Sequence, residues 1–329
     1  MKITMAAGSG GASTASLIND IFIKEFDNET VASLEDCAVV EGNAKIAMTT
    51  DSFVVTPVEY PGGDIGRLAV CGTVNDLLAR GATPKYMTCG FILQTGLDTD
   101  DLTRMVKSMA ATAKEAGIKI VAGDTKVVEG DSGLMINTTG VGFVPENLDI
   151  KSNNAKPGDA VIVTGNLGEH HAAILSTRLQ IDNNIKSDTA PLNKIVANLL
   201  DNGIKPHAMR DVTRGGLATV LKEIAENSKA KIELNQNDLP VSKEISDFCG
   251  LLGLDPLYMG NEGKMAIILA PADLDKALDL IRSSDYGANA VAIGSVVEED
   301  EAGTLLLKTT LGGLRQLDVL QGEGLPRIC

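Results

Sequence analysis

Residues 61–77 read Pro-Gly-Gly-Asp-Ile-Gly-Arg-Leu-Ala-Val-Cys-Gly-Thr-Val-Asn-Asp-Leu, and they predict a buried helix in the first half of the chain. Asp64 is placed to cap a helix that runs to about Arg80. Apolar residues occur on nearly every side of this helix, which is typical of a buried segment. Because buried polar side chains are costly unless they are paired or hold a ligand, Asn75 and Asp76 are candidate functional residues, or else caps on a neighbouring backbone.

Outward from this helix, short strands and helices follow one another along the chain. In the first half we predict strands over residues 37–41, 45–50, 86–94, 118–122 and 134–144, and an amphipathic helix over 98–116. In the second half we predict helices near 169–180, 191–202, 215–228, 241–252 and 271–284, and strands near 159–164, 231–234, 264–269, 288–297 and 304–308. Mixed single and paired strands around helices predict two α+β domains rather than one doubly wound sheet.

The chain divides into four predicted parts. A glycine-rich loop and a helix near 13–26 occupy residues 1–35, and the first domain covers 36–150. The pattern then breaks into Asn, Lys and Pro, and the second domain covers 151–309. Glycines interrupt residues 310–329, so we expect this tail to be flexible unless it docks on the protein.

Composition excludes several classes of protein. The 329 residues carry a formal net charge of −15, with 44% apolar residues and 3% aromatic residues, so we do not expect a nucleic-acid binder. The five cysteines form no metal-binding pair, and their odd number argues against a disulfide framework. Without a signal segment or an apolar run of about 18 residues, we expect a cytoplasmic protein that does not contact a membrane.

Carboxylates are frequent in the first domain near predicted strand and helix ends. Singly, each is more often a turn or cap residue. Together they raise the expectation of a Mg²⁺ site, because magnesium binds oxygen ligands and is usually held by one or two carboxylates and nucleotide phosphates. These residues are Asp36, Asp51, Asp64, Asp76 and Asp124.

Two kinds of segment could hold a polyphosphate. The loop Gly8-Ser9-Gly10-Gly11 could present backbone N–H groups to a phosphate, although it is not a P-loop and a flexible turn explains it equally well. Four cations lie beside glycine-rich or loop segments, and surface ion pairs are the alternative for each of them. These cations are Lys126, Arg210, Arg214 and Lys264.

The segment Asn261-Glu262-Gly263-Lys264 precedes an apolar strand. Because glycines flank Glu262, we expect a substrate to reach it, and it is a candidate general base; a plain hairpin turn is the alternative. No catalytic triad is evident among the three histidines, His170, His171 and His207.

The last residue, Cys329, is a candidate nucleophile. A free thiol reacts as the thiolate, with a pKa of about 8.5 when unshifted. The ending does not fit prenylation, because the cysteine is last rather than fourth from the end. A terminal cysteine without a function is the alternative.

Over essentially its full length the chain resembles the HypE family of hydrogenase maturation factors. Internal motifs resemble the wider PurM-like (AIR synthetase) superfamily, and the ending 326–329, Pro-Arg-Ile-Cys, resembles HypE itself. The internal stretches that carry the resemblance are 8–11, 34–36, 50–53, 61–66, 72–77, 122–127, 210–217 and 261–264.

This resemblance implies a reaction and its partners. A HypF-like carbamoyltransferase would load a carbamoyl group onto Cys329, and ATP with Mg²⁺ would then convert the thiocarboxamide to a thiocyanate. The thiocyanate would supply cyanide to the hydrogenase iron on a HypC–HypD complex. The implied fold is a two-domain PurM-like architecture that forms a homodimer through strands of the first domain.

The resemblance also implies roles for single residues. Cys329 would carry the substrate, Glu262 would be the base, and Lys126 would lie close to the phosphoryl or amide oxygen; His170 and His207 are weaker candidates. The implied magnesium ligands are Asp36, Asp51, Asp76 and Asp124. The implied nucleotide-binding residues are Gly8, Ser9, Gly10, Gly11, Asp64, Asn75, Asp76, Asp124, Arg214, Asn261 and Lys264.

Some positions depart from the family pattern. No histidine precedes the glycine loop, Cys71 stands where an asparagine is expected, and the doublet His170-His171 is unusual. Two other functions stay open. One is a selenophosphate synthetase-like enzyme that acts on a free small molecule, although no cysteine precedes Cys37. The other is an ATP-binding maturation scaffold without catalysis.

Overall fold

A computed structural model describes residues 11–12, 15, 38–40, 45–94, 97–128 and 133–322, with 38–40, 99 and 124–127 described by their backbone alone. Gly8, Ser9, Gly10, Asp36 and Cys329 therefore lie outside the described residues, as do most of the predicted helix near 13–26 and the side chains of Asp124 and Lys126.

The first half of the chain forms a five-stranded sheet with two helices on one face. The strand order is β1-β2-β7-β5-β6, and every neighbouring pair is antiparallel except β5 and β6. Strands β3 and β4 form a separate short hairpin. The elements are β1 (Ala38–Val40), β2 (Lys45–Phe53), β3 (Glu59–Tyr60), β4 (Gly63–Asp64), α1 (Ile65–Ala79), β5 (Thr83–Gln94), α2 (Thr99–Ala116), β6 (Lys119–Val128) and β7 (Leu134–Val144).

Helix α1 is the buried helix that the sequence predicts. Asp64 caps it and accepts a hydrogen bond of 2.9 Å from the Arg67 backbone N–H. The helix lies on β2 and β7, beside α2, and its far side contacts the second half of the chain. It therefore has no solvent-facing side, which explains its apolar residues all round.

Helix α2 is the predicted amphipathic helix. Asp98 caps its start, and Gly117 ends it with a φ of 71°. Met105 and Met109 are buried against the core, but Val106 is 42% exposed. The spacing of Val106 from Leu102 and Met109 predicts that it lies on the apolar face of this helix. That prediction is wrong, because α2 buries only a narrow stripe.

The second half forms a seven-stranded sheet of order β14-β13-β10-β12-β8-β11-β9, in which only β10 and β13 are parallel. Its first elements are β8 (Ala160–Val163), α3 (Glu169–Leu179), α4 (Asn193–Asp201), β9 (Ala208–Asp211), α5 (Gly216–Ser228) and β10 (Ala230–Asn235). Its remaining elements are α6 (Lys243–Leu252), β11 (Met265–Leu269), α7 (Leu274–Arg282), β12 (Val291–Glu299), β13 (Leu305–Lys308) and β14 (Leu314–Leu317).

This second sheet is covered on both faces. Along its central strands, alternate residues such as Ile162 and Ile267 pack in the same core as α1, α4 and α7. The intervening residues, such as Val161 and Ile268, pack in a second core with α5. Because one core is shared between the two halves, the α+β domains contact each other through buried apolar residues.

The structure lengthens two strands that carry candidate ligands. Strand β2 continues to Phe53, so Asp51 lies inside the strand rather than at its end. Strand β6 continues to Val128, so Asp124 lies within it rather than after it. Both predictions of a strand-end position are wrong, because Asp, Thr and Ser weaken the apolar signal where the pairing with β7 or β5 continues.

Of the strands in the described residues, four were not predicted: the hairpin strands β3 and β4, and the strands β9 and β14. Strand β9 is short and contains Arg210 and Asp211, and it is an edge strand paired with β11. Strand β14 pairs with β13, so part of the predicted flexible tail after Thr310 belongs to the sheet. Among the described ranges, no helix combines the length and the apolar character needed to cross a membrane.

Candidate active site

Asn75 of α1 joins the first domain to two segments of the second. Its side-chain N–H groups donate to the carbonyl oxygens of Ala190, at 3.0 Å, and Glu262, at 3.4 Å. Its side-chain oxygen accepts a hydrogen bond of 3.0 Å from the Leu192 N–H. The buried asparagine thus has backbone partners, as one of the two sequence-based interpretations expected, and it places residues 190–192 and Glu262 against α1.

Glu262 is buried at this domain interface, with only 3% of its surface exposed. The prediction that its neighbouring glycines leave it open is wrong, because the segment packs between α1 and the loop before α4. Burial raises the pKa of Glu262 well above its ordinary value, and the nearby carboxylates Asp211, Asp51 and Asp188 raise it further. The guanidinium group of Arg214 opposes this rise.

Asp211 and Asp51 bring carboxylates of both domains to the same interface. Burial raises the pKa of Asp211 to about 6, while Arg210 opposes the rise and Asp51 adds to it. Burial also raises the pKa of Asp51, and Arg214 opposes that rise. Several buried carboxylates that lie close together and have raised pKa values are typical of a functional site.

In the sequence, Asp211 and Thr213 precede an amphipathic helix, and either side chain could cap it. The structure instead places Gly215 at the N-cap of α5, without a side-chain hydrogen bond. Gly215 and Gly216 have φ values of 80° and 67°, which favour glycine and turn the chain sharply after Arg214. The only signal for Asp211 was its place beside charged residues before an amphipathic helix.

Lys264 follows Glu262 in the same segment, and its side chain is 8% exposed. Its ammonium group lies 3.1 Å from a carboxylate oxygen of Asp188 and 3.7 Å from one of Glu169. Asp188 was missed in the sequence because it stands in a polar run, 182–189, without periodicity. The positive charge of Lys264 is therefore paired with protein carboxylates.

Asp51 and Asp76 lie on the facing sides of β2 and α1. The Thr49 hydroxyl donates to Asp76 over 2.8 Å. A methyl group at Gly72 would lie 3.6 Å from an Asp51 oxygen and 2.9 Å from the Phe53 ring. Gly72 lies three residues before Asn75, and this spacing predicts a small helix face that could admit a ligand. The Phe53 ring fills that space instead.

The donor set at this place fits magnesium. Within the described residues, no group of three or more His, Cys, Asp or Glu side chains is arranged around a metal position. Magnesium, however, usually takes one or two protein carboxylates and completes its octahedron with water and phosphate oxygens. Asp51 and Asp76 supply two carboxylates without requiring a closed protein cage.

Other predicted site residues have structural partners. Asp64 caps α1. Asn261 is fully buried; its oxygen accepts from the Gly168 N–H at 2.8 Å, and its amide donates to carbonyl groups of Val212 and Met259. Gly11 lies against Leu320, and the Leu320 carbonyl accepts a hydrogen bond of 3.1 Å from the Ala12 N–H.

The histidines belong to local networks. His170 is buried, and its Nδ1 lies 2.7 Å from the Ser187 hydroxyl. His171 is also buried, and burial lowers its pKa to about 4. The doublet therefore packs in the core rather than capping α3, whose N-cap is Gly168. His207 contacts the buried carboxylate of Asp159 at 2.7 Å.

Comparison with known proteins places this geometry in a family. Residues 34–144 match the family described as AIR synthase related protein, N-terminal domain, and residues 156–305 match the corresponding C-terminal domain. The carbamoyl dehydratase HypE of Cupriavidus necator is 46% identical over all of this chain and 95% of its own length. The chain belongs to the HypE family. The Escherichia coli HypE is 42% identical over all of this chain and 99% of its own length.

Solved structures of the family agree with the fold. A crystal structure of the hydrogenase maturation protein HypE in complex with ATP is 43% identical, covers both chains fully and has a TM-score of 0.84. The HypE in a HypE–HypF complex has a TM-score of 0.87 and covers 93% of this chain and all of its own. A thiamine monophosphate kinase of Aquifex aeolicus, 17% identical with a TM-score of 0.69, shares the fold alone. The predicted two-domain PurM-like α+β architecture is confirmed.

Proposed function

We propose that this protein is an ATP-dependent carbamoyl dehydratase. It converts a carbamoyl group on Cys329 to a thiocyanate, which supplies the cyanide ligand for assembly of the iron centre of a [NiFe] hydrogenase. The observation that supports this most directly is a buried Glu262 with a raised pKa, set among carboxylates of both domains, in a chain that matches carbamoyl dehydratases over its whole length.

The reaction removes one water from the carbamoyl group in two steps. The amide oxygen on the Cys329 thiocarboxamide takes the γ-phosphoryl group of ATP, ADP leaves, and the nitrogen loses one proton. The second N–H proton is then removed, the C–O bond breaks, and phosphate leaves with the former amide oxygen. The products are the S-bound nitrile, ADP, phosphate and the two protons taken from the nitrogen, so all atoms are accounted for.

Glu262 is proposed as the base that takes a proton from the amide nitrogen. A carboxylate with a raised pKa is a stronger base than an exposed one, and general bases work best when their pKa lies near the working pH. Burial of Glu262 and Asp211 also supports a site that excludes water, which would otherwise hydrolyse the phosphorylated amide. Lys126 stays a proposal for a contact to the phosphoryl or amide oxygen.

The residues proposed for nucleotide and metal binding follow the same geometry. ATP binding is supported by the relative that was solved with ATP. Asp51 and Asp76, with Asp36 and Asp124, are proposed to hold Mg²⁺, which would neutralise charge on the transferred phosphoryl group. The loop at 8–11 and Arg214 are proposed to contact the phosphates.

A homodimer is proposed through the outer face of the first sheet. Met48, Tyr86, Ile92 and Phe143 lie on the face opposite α1 and are each about two-fifths exposed (43%, 43%, 38% and 40%). Exposed apolar side chains grouped on one face are typical of an interaction surface. The relative in the HypE–HypF complex supports a HypF-like carbamoyltransferase as partner. A HypC–HypD complex as acceptor and a cytoplasmic location stay proposals.

Intact mass spectrometry tests the function. The protein is carbamoylated by a HypF-like carbamoyltransferase and measured before and after addition of Mg-ATP, beside Cys329→Ala. We expect one carbamoyl group on Cys329, none on the variant, and an ATP-dependent loss of one water. A carbamoyl group that ATP leaves unchanged would indicate a carrier or scaffold, and no addition at Cys329 would return the free-substrate enzymes to consideration.

A further inference from the structure

We propose that Asp188 is a positioning residue of the dehydration reaction, which holds the backbone of Glu262 in place and pairs with Lys264. This inference rests on the proposed function, since it takes Glu262 to be the base. Asp188 lies in the loop before α4, in a polar stretch of the sequence without a recognisable motif.

The Asp188 carboxylate faces three donors of the segment that contains Glu262. One oxygen accepts from the Glu262 N–H at 3.2 Å, and the other accepts from the Gly263 N–H at 3.3 Å. The second oxygen also lies 3.1 Å from the Lys264 ammonium group. Only 1% of the Asp188 side chain is exposed, so these contacts replace water around a buried charge.

The backbones of the two segments are also in direct contact. The Ala190 N–H donates to the Glu262 carbonyl at 3.3 Å. A Cβ atom at Gly263 would come within 1.9 Å of the Asp188 carbonyl oxygen, so only glycine permits this approach. Both polar backbone groups of Glu262 are therefore bonded to the loop that carries Asp188.

The pairing with Lys264 also protects the basicity of Glu262. An unpaired ammonium group two residues from Glu262 would stabilise the ionised carboxylate and make it a weaker base. The groups with which Glu262 interacts electrostatically are Asp211 of β9, Asp51 of β2, Asp188 of the loop, Arg214 before α5, Tyr60 of β3 and Cys71 of α1. Asp188 thus acts on the base through contacts that do not require it to touch the substrate.

Asp188→Asn separates this role from nucleotide binding. The asparagine side chain keeps the shape but cannot accept from two N–H groups and neutralise Lys264 at once. We expect the single-turnover rate constant of dehydration on carbamoylated protein to fall about 100-fold, the loss associated with a displacement of about 1 Å in a reacting group. The ATP concentration for half-maximal rate should stay within about threefold, because Asp188 contacts the backbone of Glu262 and Gly263 and the ammonium group of Lys264, which keeps Glu169 nearby in the variant.

Asp159→Asn is the matched control. Asp159 is also a buried carboxylate of the second domain; it accepts from the Lys156 N–H at 2.8 Å and contacts His207. This variant should lose stability comparably but keep the dehydration rate constant within about twofold. A double variant, Asp188→Asn with Lys264→Met, removes both charges of the pair, and such replacements are often tolerated in folding.

The cycle of variants decides the inference. Lys264→Met alone completes the cycle. If Asp188 acts with Lys264, the loss in the double variant should be no greater than the larger of the losses in Asp188→Asn and Lys264→Met, since the pair works as a unit. If Asp188→Asn alone fails to fold, the double variant takes its place. Its dehydration rate constant must then be lower than that of the unsubstituted protein. An unchanged rate constant, strictly additive losses, or a raised half-maximal ATP concentration at an unchanged rate constant would each overturn the inference. If the unsubstituted protein does not dehydrate its carbamoyl group at all, the proposed function itself fails.

Discussion

Asn75→Ala should weaken the joint between the two domains. The substitution removes a buried amide that bonds residues of the second domain to α1 of the first. Alanine keeps the helix, because its helix propensity is higher than that of asparagine. The change therefore acts on the interface and leaves the local fold of α1 intact.

The magnitude follows from the three hydrogen bonds. The Leu192 N–H loses its acceptor in a buried place, which costs about 1–3 kcal/mol. The carbonyl groups of Ala190 and Glu262 each lose a donor, at roughly 0.5–1.5 kcal/mol per bond. Their losses overlap because the groups share one side chain, so we expect a decrease of about 3 kcal/mol in the free energy of unfolding.

Urea unfolding followed by circular dichroism measures this change, since the chain contains no tryptophan. Asn202→Ala is the control. Asn202 is exposed, and its side-chain amide donates hydrogen bonds to the backbone and side-chain oxygens of Asn198 in α4. The control should lie within about 0.5 kcal/mol of the unsubstituted protein, as surface substitutions do. If the free energy of unfolding of Asn75→Ala lay within that same range, the three hydrogen bonds of Asn75 would not stabilise the domain interface.

Three further predictions concern the base, a neighbouring acid and the dimer. Glu262→Gln should still bind ATP but should not dehydrate the carbamoyl group. In the unsubstituted protein, the dehydration rate should fall on acidification at a pH well above the ordinary carboxyl pKa of about 4.3. A dehydration rate that stays constant down to about pH 5 would contradict the role of Glu262. Because the pKa of Asp211 is raised to about 6 in the folded protein, its ionisation lowers the free energy of unfolding as pH rises. In denaturant titrations, Asp211→Asn should therefore be about 1–3 kcal/mol more stable than the unsubstituted protein near pH 8 and equally stable below about pH 4. Equal stability of the two proteins at both pH values would contradict this prediction. The double variant Met48→Lys with Phe143→Lys should be monomeric in analytical sedimentation. Dimers that persist in this variant would exclude the outer face of the first sheet as the dimer interface.

Local signals predicted much of the fold. The bounds of α1 and α2 follow from capping residues and buried patterns, and β7 was predicted over its observed length. Five helices in the second half lie where the periodicity placed them. These elements carry a capping residue or a hydrophobic period that can be recognised in the sequence without knowledge of their distant contacts.

The site was less predictable because it depends on distant segments. Asp188 lies 74 residues from the Glu262 N–H that it accepts, and no periodicity marks it. Strands β9 and β14 are short and polar, and pairing with β11 and β13 defines them. Burial of Glu262 similarly arises from the meeting of both domains and cannot be read from its glycine neighbours.

Infrared spectroscopy of the carbamoylated protein tests the central claim most directly. With a ¹³C-labelled carbamoyl group on Cys329, addition of Mg-ATP should produce a nitrile stretching band that is absent beforehand, shifts with the label and does not form in Glu262→Gln. ATP hydrolysis without a label-sensitive nitrile band would contradict the account.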